Sequence, residues 1–293
     1  MEFGNVQSLE GIDLVLPRDH SFTKEVLANG QSKKITPNVY VGCAKWGRKE
    51  WVNMLYPKSV KAADFLDYYS KQFNAVELNA SFYGLKKTDV LNWKSKVPDH
   101  FKFCPKFPST ISVKKTIKEN PKAERFIDTV RLFEHNLGPV FLMLTDKVKA
   151  KEFDNLQNFI NELPTDVNFQ LELRNEEWYQ NQQLFDDLTN LLHSKKIGFV
   201  ITDVAGRRDI LHQCLTTSQA FVRFQGYNLH PSDYKRIDEW VLKVKGWFDL
   251  GLKELFYFLH ELDETHTPAA CEYFIKKLNK ACNLKLQNPQ FLK

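Results

Sequence analysis

Two carboxylates and four cations stand out because they close short runs in which polar and apolar residues alternate. In Ala75-Val76-Glu77-Leu78-Asn79, a strand's successive side chains take opposite faces, so Glu77 and Asn79 oppose Val76 and Leu78. The same alternation recurs at Gln170, Glu172 and Arg174, and again at Arg223 and Gln225. A carboxylate on the inner face of a strand is costly to bury unless it is paired or serves a site. Glu77 and Glu172 have the residue types for glycosidic hydrolysis, one as acid and one as base or nucleophile, if their gap falls near about 5–10 Å. Asp203, ending a further apolar run, is a third acidic candidate. Lys45, Lys106, Arg174 and Arg223, with the rings of Trp46, Tyr83 and Trp178, instead suit a phosphate-bearing ligand with a stackable ring. Charge alone leaves the two chemistries level. A lattice of structural ion pairs is the third reading, since buried pairs are weak evidence of function.

These residues must be positioned by the elements around them. From Val39 onward, apolar runs alternate with amphipathic stretches. The strand candidates are Val39–Cys43, Ala75–Asn79, Phe101–Pro105, Pro139–Leu144, Asn168–Leu173, Ile197–Asp203, Ala220–Gln225 and Glu254–His260. Helical segments separate them, such as Gln183–Lys195, where Leu184, Leu188, Leu191 and Leu192 share one face. Eight β-then-α units argue for a parallel sheet closed into a TIM (β/α)8-type barrel, whose site lies at the carboxyl ends of its strands. The two weakest units are the one after the third strand, broken by Pro105 and Pro108, and the stretch from Gly206 to Thr217. Residues 1–38 read as a loosely attached N-terminal extension, partly disordered, and residues 39–293 as the barrel domain.

Length and composition agree with that reading. The 293 residues suit a single α/β barrel, and 43% hydrophobic content with 23 Phe supplies a large, ring-rich core. A net charge of +5 is mildly basic, which favours an anionic ligand without compelling nucleic acid. Five dispersed cysteines read as reduced thiols, and no run reaches the length of a membrane span, so a cytoplasmic protein is expected. No metal or cofactor is expected. His260 and His266 are six residues apart and cannot share a helix face, and neither a Gly-rich phosphate loop nor G-x-S-x-G occurs.

Several of these segments carry a resemblance. Gly42-Cys43-Ala44-Lys45-Trp46, Phe73-Asn74-Ala75-Val76-Glu77-Leu78-Asn79-Ala80-Ser81-Phe82-Tyr83, Glu172-Leu173-Arg174 and Val222-Arg223-Phe224 resemble signatures of the YecE-like family, also called domain of unknown function seventy-two. The resemblance spans roughly residues 39 to 283. It implies a TIM barrel with a polar pocket at the mouth, and no established reaction. The residues it marks are Glu77, Asn79, Tyr83, Lys106, Glu172, Arg174, Trp178, Asp203 and Arg223. Likeness to endonuclease-type barrels is fold-level analogy for nucleic-acid or phosphosugar binding. The text departs from the family at Thr145-Asp146, Gln225-Gly226 and His260-Glu261, which marks a divergent member.

The expected function is a pocket for an anionic, phosphate-bearing small molecule or nucleotide. Glu77, Glu172 and Asp203 are its acid–base candidates, and Lys45, Trp46, Asn79, Tyr83, Lys106, Arg174, Trp178, Arg223 and Gln225 its ligand contacts. The alternatives are a carboxylate-pair glycoside hydrolase and a non-catalytic scaffold. Any enzyme would be a metal-independent hydrolase or lyase.

Overall fold

The structure, a computed structural model, describes residues 3–28 and 36–292. Among these the strands are β1 (Asn38–Cys43), β2 (Ala75–Leu78), β3 (Lys102–Pro105), β4 (Val140–Leu144), β5 (Phe169–Leu173), β6 (Gly198–Phe199), β7 (Ile201–Asp203), β8 (Gln219–Gln225) and β9 (Glu254–His260). Each falls on a run read from alternation, and only Ile197–Asp203 is divided, at Val200.

Paired strands are parallel and form two sheets, ordered β3-β2-β1-β9-β8-β7 and β4-β5-β6. The chain passes from the smaller to the larger at Val200. Its N–H donates to Leu171 O of β5 at 2.8 Å, whereas Ile201–Asp203 pair with β8. On the other flank Gly138 N–H donates to Phe103 O at 2.7 Å and Phe107 N–H to Phe141 O at 2.9 Å, joining the two sheets through isolated bridges. The architecture is α/β with parallel strands. The single continuous ring expected from the alternation is interrupted in its ladder on this flank.

Both sheets turn one face toward a shared interior. Cys104, Phe141, Val200, Phe221, Phe256 and Phe258 pack there together, with Phe141 and Phe221 ring centroids 5.4 Å apart. Opposite residues such as Val76, Leu78, Val222 and Phe224 pack toward the helices. Gly42 is required where β1 meets β2, because a Cβ there would lie 1.9 Å from Ala75 O. Helices cover the outer faces as expected, including Gln182–Ser194, Pro231–Leu250 and Thr267–Cys282. In the first of these Leu188 and Leu192 are buried, while Leu184 and Leu191 are half-buried. No helix among the described residues is long and apolar enough to cross a membrane.

The stretch between β7 and β8 holds only a short 3-10 turn, Arg208–Ile210. Its cover comes from the N-terminus. The helix Ser21–Ala28 buries Thr23, whose hydroxyl donates to Gln213 O at 2.7 Å and accepts Leu215 N–H at 2.9 Å. Asp19 meets Lys243 at 2.9 Å, and Leu16 N–H donates to Glu239 at 3.2 Å. Residues 3–28 are therefore stitched onto the helix Pro231–Leu250 and the β7–β8 connection, rather than loosely attached. The rest of the expected extension, residues 29–35, lies outside the described residues.

Candidate functional site

The inward residues stack in layers along the strands. The aromatic layer holds Phe141, Phe221 and Phe256, with Phe258 one inward step further along β9. One step toward the carboxyl ends, Glu77, Glu172 and Arg223 form a charged layer. Above it opens a cavity of about 630 Å³, lined by residues 44–48, Leu78, Asn79, Ala80, Phe82, Tyr83, Lys106, Arg174, Arg223, His260 and Glu264. The alternation that signalled these strands produces the layering, because inward side chains recur every second residue.

Arg223 organises the charged layer. Its Nε and Nη2 donate to the two Glu77 oxygens, each at 2.8 Å, and its Nη1 donates to the Glu172 oxygens at 3.0 and 2.8 Å. Arg174 Nε donates to Glu172 Oε1 at 2.7 Å, and Asn79 Nδ2 to Glu77 Oε1 at 2.7 Å. His260 Nε2 lies 3.1 Å from Glu77 Oε2, and its Nδ1 lies 3.7 Å from Glu264.

These contacts set the protonation states. Burial alone would raise the Glu77 carboxyl, but Arg223 and His260 outweigh it and hold the group well below the usual carboxylate range. Burial of Glu172 is likewise overcome, by Arg174, Arg223 and Lys106, and its carboxyl falls to about 2. Burial would lower the His260 imidazole, yet Glu77 and Glu264 raise it above its ordinary value. Neither buried glutamate holds a proton near neutral pH, so neither meets the demand on a general acid.

Lys106 differs from its neighbours. It is 7% exposed, and its Nζ makes no hydrogen bond or ion pair among the described residues. The ammonium sits 4.3 Å from the centroid of Phe82 and 5.9 Å from that of Phe141. Burial and repulsion by Arg223 bring it down to about 8, against the opposing pull of Glu172 and Glu77. Ser81 fixes the backbone beneath it: its hydroxyl accepts Lys106 N–H at 2.8 Å and lies 2.7 Å from Lys106 O.

Of the expected site residues, Lys45, Trp46, Asn79, Tyr83, Lys106, Arg174 and Arg223 line the cavity. Glu77 and Glu172 form its charged floor. Three expectations need correction. Asp203 shares its strand face with Ile201, which packs in the helix-facing core, so its carboxylate points to the helix Pro231–Leu250. There it accepts from Arg236 at 2.7 Å and the Trp240 indole at 2.7 Å, and it also pairs with Arg208. Trp178 is a packing residue, fully buried among apolar side chains with its indole N–H donating to Val148 O at 2.9 Å. Gln225 turns its amide to Asn5 of the N-terminal segment, at 2.9 Å, and does not line the cavity.

Besides small and aliphatic lining residues, four polar or aromatic cavity residues were absent from that set. His260 and Phe82 were legible, the first as the end of an alternating strand and the second within the Ser81-Phe82-Tyr83 run. Arg48 and Glu264, which pair at 3.4 Å, sit in connections where no periodicity marks them.

The family model described as "Protein of unknown function DUF72" matches residues 40–291. The chain belongs to that family. It is 26% identical over 262 residues to the UPF0759 protein YecE of Escherichia coli strain K12, covering 83% of this chain and 93% of that protein. Among solved structures it is similar to the DUF72 family protein EF0366 of Enterococcus faecalis V583, with TM-score 0.65, 18% identity and coverage of 85% of this chain and 99% of that one. It is also similar to the DUF72 family protein TM1631 of Thermotoga maritima MSB8, with TM-score 0.64, 23% identity and coverage of 83% and 99%. These structures carry the α/β fold alone. The DUF72 match includes every cavity-lining residue from Ala44 to Glu264.

Proposed function

We propose that this DUF72 protein binds a small, phosphate-bearing anion in the cavity above Glu77, Glu172 and Arg223. In this reading the two sheets act as one TIM-type barrel formed by residues 39–293, with residues 1–38 as an N-terminal extension and the cavity at its carboxyl-end mouth. The protein works in the cytoplasm, a setting supported by five cysteines without a disulfide among them.

The observation that carries the reading is the Lys106 ammonium, which has ring contacts but no ion pair or hydrogen bond at Nζ among the described residues. A buried charge left without a counter-ion is expensive, and a bound anion would supply the missing partner. Arg174 and Arg223 add positive field, although Arg223 directs its donors to the two carboxylates. Lys45 and Arg48 extend the positive rim, and Trp46 and Tyr83 offer ring faces for a flat portion of the ligand.

The carboxylate-pair hydrolase has less support. Arg223 bonds both Glu77 and Glu172, and both are held ionised, so neither is poised to protonate a leaving group. A scaffold that has lost its site accounts poorly for an open cavity lined by a cation without an ion pair among the described residues.

Glycerol 3-phosphate tests the anion reading by thermal shift. Stabilisation that saturates, weakens with added salt and is lost in Lys106→Met supports it. Equal shifts in wild type and Lys106→Met would sink it.

A further inference from the structure

We infer that Lys106 is a reactive amine that condenses with the carbonyl group of an anionic substrate to form an imine. The inference deepens the anion-binding reading and rests on it: the cavity's positive groups hold the substrate's anion, and the Lys106 nitrogen attacks its aldehyde or ketone.

The geometry that sets this lysine apart has three parts. Lys106 lines a cavity of about 630 Å³, large enough for a small metabolite that carries a carbonyl group. No carboxylate pairs with it among the described residues, so its lone pair is not tied up by a counter-ion holding the proton in place. Two arginines of the same cavity, Arg174 and Arg223, repel its proton, and burial removes the water that would solvate an ammonium. A lysine that is desolvated and set beside other cations is activated as a nucleophile, because its charged form is destabilised. The amine accordingly falls from an ordinary lysine's 10.5 to about 8. Near pH 7 that leaves on the order of 10²-fold more neutral amine than at an ordinary lysine.

The step balances without an oxidant or a metal. The neutral Nζ forms a bond to the carbonyl carbon while the C=O π pair moves to oxygen. A proton passes from nitrogen to that oxygen, giving a carbinolamine. Loss of the hydroxyl with a solvent proton, as one water, leaves a C=N bond that is neutral or protonated according to pH. The guanidinium field that opposes protonation of Lys106 also favours the negative charge developing on oxygen. The imine is an electron sink for breaking a bond next to the former carbonyl, which places the protein among carbon–carbon or carbon–heteroatom lyases acting on phosphorylated aldehydes or ketones.

The test is reductive trapping. The protein is mixed with glyceraldehyde 3-phosphate, treated with cyanoborohydride and digested, and each lysine is followed by mass spectrometry. Labelling of Lys106 at least about tenfold faster than the exposed Lys86 and Lys87, half-maximal near pH 8 and slowed by glycerol 3-phosphate, is the expected result. Glyceraldehyde without its phosphate should label Lys106 more slowly. Because the comparison is made within the wild-type protein, it does not depend on a variant that folds. Lys106→Arg, which keeps the charge, should remove the fast label. If Lys106 reacts no faster than Lys86 and Lys87 while glycerol 3-phosphate still stabilises the protein through Lys106, the imine is refuted and the anion site survives. If both effects are missing, both proposals fall.

Discussion

Arg223 lies between Glu77 and Glu172 and donates to both, through four contacts of 2.8 to 3.0 Å. One side chain from β8 thereby bridges carboxylates from β2 in the larger sheet and β5 in the smaller. The pair is buried throughout, so its contribution is governed by what would be left behind if one member were removed.

Replacing Arg223 by Met keeps much of the stem and removes the cation that two buried carboxylates share, leaving Glu172 to Arg174 and Glu77 to Asn79 and His260. A loss of about 3–5 kcal/mol in denaturant unfolding is expected, since breaking a buried pair leaves an uncompensated charge. Arg223→Lys should recover little of it, because an ammonium cannot reproduce the planar fork that meets both glutamates. Recovery to wild-type stability by lysine would show that only the charge matters.

The same layer predicts an acid transition. Glu172 is depressed to about 2 and Glu77 is also held low, both below an ordinary glutamate's 4.5. A depressed carboxyl binds fewer protons folded than unfolded, so its stabilisation is complete above about pH 4.5 and is lost as pH falls through the folded value. Equilibrium unfolding measured from pH 5 to pH 2 should fall steeply, and Glu172→Gln should shallow that slope while lowering stability at neutral pH. A slope that the substitution leaves unchanged would place the acid sensitivity elsewhere.

The fold was legible because strand alternation and helical periodicity are local signals, and each of the runs from Val39–Cys43 to Glu254–His260 became a strand, except that Ile197–Asp203 split into two. What escaped was parity at the end of a strand and contacts made by distant segments. Asp203 closes an apolar run as Glu77 and Glu172 nearly do, but it falls on the Ile201 face and meets Arg236 and Trp240. Gln225 shares the inward parity of Arg223, yet Asn5, far away in sequence, takes its amide. Trp178 follows a strand end in the text and then turns into the core on the short helix Glu177–Gln180. That Arg223 is shared by two glutamates depends on the meeting of two sheets, which no single segment encodes.

Glu261, next to His260, predicts the opposite pH response. Its Oε2 accepts the Asn228 N–H at 2.7 Å, its Oε1 has no hydrogen-bond partner, and a Cβ on Gly226 would lie 2.3 Å from it. Burial, then the nearby Asp233, push its carboxyl up to about 8. Here the folded state holds the proton that the unfolded state releases above an ordinary glutamate's 4.5, so stability declines as pH rises from there through about 8. Glu261→Gln, which cannot ionise, should flatten that decline and stabilise the protein by a few kcal/mol at alkaline pH. Thermal unfolding at pH 6 and pH 9 measures this, and an equal alkaline loss in the variant would clear Glu261 of the effect.

The last prediction concerns the N-terminal helix. Thr23 is fully buried, and its hydroxyl answers two backbone groups of the connection between β7 and β8, Gln213 O and Leu215 N–H. That connection has no α-helix of its own, so Ser21–Ala28 supplies the cover that a β-then-α unit normally builds from the intervening chain. Thr23→Val keeps the volume and removes both bonds, which leaves the buried Leu215 N–H without its partner and Gln213 O with the His20 N–H alone, at a cost of about 1–3 kcal/mol. Thr23→Ser should retain most of the stability, since the hydroxyl remains. Urea unfolding of the two variants separates the alternatives. An unaltered midpoint in Thr23→Val would mean that the helix contributes nothing to the fold and rests on it only as an appendage. A loss in Val restored by Ser would make residues 3–28 part of the cooperative unit that holds β7 and β8, and with them Arg223, in place.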